Sequence, residues 1–119
     1  FVAGTYASQA FALELQYARK LEGAAMAERS LSEMRRAAGF DETQAGRWQD
    51  GLLRALPDVL PHDRLIGLHL ADGTTRFIHN GRPTHTMADR EFGRLFFGIW
   101  LADTTSEPRL REQLIRPPP

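Results

Sequence analysis

The side chains able to do chemistry in this chain of 119 residues are sparse and scattered. Histidines stand at positions 62, 69, 79 and 85, with no pair at i, i+4 on a helix and no carboxylate cluster to complete a metal set. No metal site is expected. Cysteine is absent, which removes a thiolate nucleophile, a Cys-based zinc site and any disulfide framework. Gly4, Gly23, Gly46 and Gly51 never take the spacing of a phosphate-cradling loop or a nucleophile elbow, so no nucleotide or other cofactor is expected. The carboxylate pairs Glu28 with Glu33 and Asp58 with Asp63 are expected on solvated surface. If Asp72-Gly73 is a two-residue turn, Ile66, Leu68, Leu70, Phe77 and His79 share a face, leaving His79 at the edge of the apolar layer. No Ser or Cys nucleophile motif accompanies His79, and a hydrogen-bonded sheet-edge histidine is its ordinary explanation. Phe92, Phe96 and Trp100 recur at helical spacing, as core or as the wall of a pocket for an apolar ligand.

The elements that must position these groups follow from hydrophobic periodicity. Phe11, Leu13, Leu15 and Tyr17 alternate with Glu14 and Gln16, the pattern of a half-buried strand. Over 23–38 the period changes: Ala24, Ala27, Leu31, Met34 and Ala38 line one face of an amphipathic helix stopped by Gly39. Asp41 and Gln44 resemble a capping box for a second helix carrying Ala45, Trp48, Leu52 and Leu56, ended by Pro57. Strands are predicted over 64–71 and 74–80, and Asn80-Gly81 makes a further tight turn. Thr86 with Asp89 offers another capping box before Phe92, Leu95, Phe96, Ile99 and Trp100, with Phe97 and Leu101 on a further side; this helix should be the most buried element. Ser106 can cap a last short helix with Leu110 and Leu114, which the three terminal prolines end. Strands and helices in separate runs predict an α+β class with an antiparallel sheet.

Bulk properties exclude several functions. Fifteen Lys plus Arg balance fifteen Asp plus Glu, so no global field favours nucleic acid or an anionic membrane. Fourteen of the basic residues are Arg throughout the chain, a compositional bias and not a row of phosphate contacts. The longest apolar run, 95–102 broken by Gly98, is far below the ~20 residues of a transmembrane helix.

Three stretches together carry a resemblance: His79-Asn80-Gly81-Arg82, then Phe92-Gly93-Arg94-Leu95-Phe96-Phe97-Gly98-Ile99-Trp100-Leu101, then Thr105-Ser106-Glu107-Pro108-Arg109-Leu110-Arg111. They resemble the C-terminal signature of bacterial chalcone-isomerase-like domains. Phe1 to Tyr6 resembles an earlier strand of that family, and the following strand and helix match as well. The resemblance covers nearly the whole chain, read as one domain over 1–119 whose family counterparts have strands before Phe1. It implies an open-faced sandwich, a large antiparallel sheet with helices on one face and an apolar cleft between them. Plant members of the family cyclise chalcones, related plastid members bind fatty acids, and others are non-catalytic helpers.

The family's catalytic residues do not carry over. Its upstream Arg has no counterpart here, and its Thr falls near Phe1 or Val2. Its Tyr, after a turn matched by Leu21-Glu22-Gly23, corresponds to Met26, and its Asn to Glu33. Met26 offers no hydrogen-bond donor, and losing one such donor typically costs about a hundredfold to a thousandfold in rate. The resemblance therefore implies a non-catalytic domain that binds a fatty acid or other apolar small molecule, with Tyr6, Tyr17, Met26, Phe96 and Trp100 as candidate ligand-binding residues. Alternatives are an intramolecular lyase or isomerase working through other groups such as His79, and a protein-interaction domain with an unspecified partner. No nucleic-acid partner and no transmembrane segment are expected. Export signals among bacterial relatives imply a periplasmic or secreted location, with the cytoplasm as the alternative.

Overall fold

Alternation along β1 (Phe11–Gln16) buries Phe11 and Leu13 and leaves Leu15 half-buried, as the period-two pattern predicts. The computed structural model describes residues 10–101; the expected first strand with Tyr6 and the expected helix after Ser106 lie outside them. β1 pairs with β2 (Arg64–His69), β2 with β3 (Thr75–His79), and β3 with β4 (Arg82–Met87), all antiparallel and in sequential order. Among the described residues three α-helices, α1 (Gly23–Arg35), α2 (Ala45–Ala55) and α3 (Arg90–Leu101), join the sheet in an α+β fold.

The β2–β3 hairpin corrects one expectation. Leu70 N–H donates to the Thr74 carbonyl at 2.9 Å, which leaves three residues, Ala71, Asp72 and Gly73, in the loop instead of two. Gly73 takes φ 91°, the left-handed position that three-residue hairpin loops require. One extra loop residue exchanges the two faces of a strand. Leu65, Gly67 and His69 therefore join Thr75 and Phe77 in the interior, while Ile66, Leu68 and Leu70 lie half-buried on the opposite face. The Asn80-Gly81 turn is the expected two-residue type, with φ 49° and 84°.

Helix starts are set by distant partners more than by local boxes. Glu22 makes no side-chain cap for α1; instead Gly23 N–H donates to Asp58 Oδ1 at 2.7 Å across 35 positions of sequence. Asp58, expected as ordinary solvated charge, is thus a remote cap. Gly23 is itself required, since a Cβ there would sit 2.1 Å from the Leu56 carbonyl oxygen. Asp41 accepts from Thr43 N–H at 3.0 Å and starts a short 3₁₀ turn, Glu42–Gln44, while the Gln44 amide oxygen accepts from Arg47; the expected capping box does not form. α3 is capped by Asp89, whose Oδ1 accepts from Phe92 N–H at 3.1 Å, and Thr86 belongs to β4. Asp89 Oδ2 also accepts from Trp48 Nε1 at 2.9 Å and pairs with Arg47, fastening the start of α3 to α2. Burial opposes ionisation of Asp89, but the bonds from Trp48, Phe92 N–H and Arg47 outweigh it and hold the carboxyl below its ordinary range.

The core lies between helices and sheet. Ala27, Leu31 and Met34 of α1 are buried as the spacing predicts, but Ala24 and Ala38 are exposed, and α1 ends at Arg35. α3 is the most buried helix: Phe92, Leu95, Phe96, Phe97 and Leu101 are all interior, with Ile99 and Trp100 half-buried. Gly67 lets the Phe97 ring lie directly on β2, and Gly93 brings α3 onto Thr75 and His69.

Candidate ligand-binding cleft

Toward the β1–α1 end, sheet and helices separate and leave a cavity of about 470 Å³. That volume is within the ~300–1,000 Å³ typical of small-molecule sites. The sheet contributes Leu15 and Leu65, with Tyr17 just beyond β1; α1 contributes Ala25 and Met26; α3 contributes Phe96 and Trp100; Leu21 and Leu56 close the remaining sides. Gln16, Arg19, Arg29 and Ser30 add polar groups to the same wall.

Local structure explains these placements. Tyr17 follows β1 and is pinned by its backbone: its N–H donates to Asp63 O at 2.9 Å and its carbonyl accepts from His62 N–H at 2.7 Å. Burial pushes its phenol above the ordinary value, so the hydroxyl stays protonated at neutral pH and can donate. Leu21 and Val59 exchange two backbone bonds of 3.0 and 2.9 Å, fixing the chain that enters α1. Met26, Arg29 and Ser30 share a helical face by their i, i+3, i+4 spacing. Phe96 is shared between core and cleft, edge-on to Phe77 with ring centres 5.2 Å apart and to Trp100 at 5.3 Å.

Four of the residues singled out from the sequence, Tyr17, Met26, Phe96 and Trp100, thus meet around one cavity, and Tyr6 lies outside the described residues. Arg29 and Ser30 were accessible to a helical-wheel argument from Met26. Leu65 was assigned to the wrong face by the hairpin register, and Arg19 and Leu56 carry no local signal because only the fold brings them here.

Among the described residues no carboxylate and no imidazole lines the cavity. Glu33, at the position of the family's Asn, lies off its wall; it bonds Arg36 at 3.1 Å and approaches Arg29 at 3.5 Å. His79 is outside the cavity too, its Nε2 3.0 Å from Asp63 Oδ2. Asp63 also accepts from Leu60 N–H and Asn80 Nδ2, and these bonds, the backbone one foremost, lower its carboxyl to about 2. Asp63 therefore organises a turn, a role beyond the solvated charge expected of it. His69 is buried against Phe11 and Phe97, with ring centres at 5.0 and 5.4 Å. Among the described residues no group of three or more His, Asp or Glu is arranged to hold a metal ion, and no helix is long and apolar enough to cross a membrane.

No family model and no curated protein matches the chain. Among solved structures, the chain is similar to a fatty-acid binding protein of Arabidopsis thaliana, with a TM-score of 0.65 and 11% sequence identity over 85% of this chain. The match spans 52% of that protein, about half its length. At this identity the likeness is one of fold. The domain has an α+β chalcone-isomerase-like fold, with a four-stranded antiparallel sheet and three α-helices among the described residues.

Proposed function

We propose that this domain is a non-catalytic binding module that holds a fatty acid, or a similar apolar small molecule, in the cleft between sheet, α1 and α3. The observation that carries this reading is the cavity itself, lined mainly by apolar side chains from the sheet, α1 and α3, with no carboxylate or imidazole among the described residues of its wall. General acid or base catalysis normally draws on such groups. A structural neighbour that binds fatty acids supports the same class of ligand. The motifs that resemble those of bacterial chalcone-isomerase-like domains support a reading of the module as a member of that branch, and Met26 in the family's Tyr position agrees with a binding role.

Native mass spectrometry of the full-length chain with added dodecanoate tests the proposal. A one-to-one adduct that disappears in Met26→Trp, a variant that fills the cavity from α1, is the expected result. Absence of any adduct at excess ligand, in protein that retains a cooperative thermal transition, would overturn it.

A further inference from the structure

We propose that Arg19 and Arg29 form a cationic clamp at this cleft that selects ligands with one anionic head, a long-chain monocarboxylate foremost. The inference rests on the cleft being the ligand site. Both guanidinium-bearing residues line the cavity, Arg19 from the segment after β1 and Arg29 from α1, so they approach from different elements. Both are exposed, so their charges keep their water while the apolar wall takes the chain of a ligand.

Neither charge has a close partner among the described residues. Arg19 makes no ion pair or hydrogen bond with any described residue. Arg29 has only a long approach of 3.5 Å to Glu33, whose shorter partner is Arg36 at 3.1 Å. Turning Arg29 toward a ligand therefore leaves Glu33 neutralised. Ser30 lines the same wall, one residue from Arg29, and Tyr17 lines it from just beyond β1. An arginine fork and a carboxylate match in geometry and charge, whereas an alcohol or ester of the same length offers no charge to pair.

Calorimetric titration of the full-length chain with decanoate and with decan-1-ol separates the two layers of the argument. Hydrogen bonds to charged groups are worth enough to favour the acid by roughly tenfold to a hundredfold. In the double variant Arg19→Gln/Arg29→Gln, the acid should fall to the level of the alcohol while the alcohol is unchanged. Equal binding of acid and alcohol by the natural chain, or a preference that survives in the double variant, would overturn the clamp and leave the cleft as a ligand site. Failure of both compounds to bind would overturn the cleft reading together with the clamp.

Discussion

The interface between sheet and helices is closed at its centre and open at its β1–α1 end. At the centre, Gly67 lies under Phe97, where an added Cβ would meet the ring at 3.0 Å, and Gly93 lies over Thr75 and His69, which an added Cβ would meet at 3.0 and 3.1 Å. Removing those Cβ atoms lets the layers approach until the rings interlock, with Phe11 and Phe97 centred 4.8 Å apart and Phe96 and Phe97 at 5.3 Å. At the open end no glycine is among the described residues of the wall, and the start of α1 is anchored by Asp58 and by the Leu21–Val59 bridge. Side chains of middling size such as Leu15, Met26 and Leu65 then span a fixed gap without filling it. Backbone approach, more than hydrophobicity, separates core from cleft, because both ends are built from the same apolar residue types.

The contrast can be broken most severely at the centre. Phe97 is fully buried, so Phe97→Ala should cost about 3–5 kcal/mol in urea unfolding, the range for large aromatic truncations. Gly67→Ala should cost about 1–3 kcal/mol, because the ring it meets is hemmed in by Phe11, His69 and Phe96 and cannot yield. Gly46→Ala sharpens the same comparison: a Cβ there meets nothing within 4 Å on α2, so helix propensity predicts a gain of up to ~1 kcal/mol. At the open end Trp100→Ala should lower stability by only about 1 kcal/mol, since the side chain is half-exposed, yet it should weaken the dodecanoate adduct in native mass spectrometry. A large stability loss with no change in ligand binding would place Trp100 with the core.

The smallest effect concerns the turn beside Tyr17. The folded Asp63 carboxyl lies at about 2 against an ordinary 3.8, so its contribution to stability is present above 3.8 and is lost as pH falls toward 2. Thermal melts of Asp63→Asn should show a shallower decline over that interval than the natural chain does. Identical slopes would show that the bonds from Leu60, Asn80 and His79 do not stabilise the folded state.

Local periodicity was enough to read the strand at Phe11, the face of α1 carrying Ala27, Leu31 and Met34, and the ring-bearing faces of α3. Those signals depend on spacing alone, and burial selects them residue by residue. The Asn80-Gly81 turn was legible for the same reason, since few residues other than Asn and Gly accept two successive positive φ angles. The Asp72-Gly73 loop was not, because a glycine suits both two- and three-residue turns, and only the packing of Phe77 and Leu65 against the helices selects the longer one. Caps show the same division: Asp58 lies 35 residues from Gly23, and Asp89 is shared with Trp48 and Arg47 from another helix.

The sequence by itself determined the α+β class and most of the apolar faces, and it named Tyr17, Met26, Phe96 and Trp100 as candidates for a cleft. Tertiary structure alone decided that those four surround an open volume instead of a filled core, and that Arg19 and Arg29 line it too. The physical reason is that periodicity records which side of an element is buried, whereas the distance between two buried sides depends on glycines, anchors and register acting together across the fold.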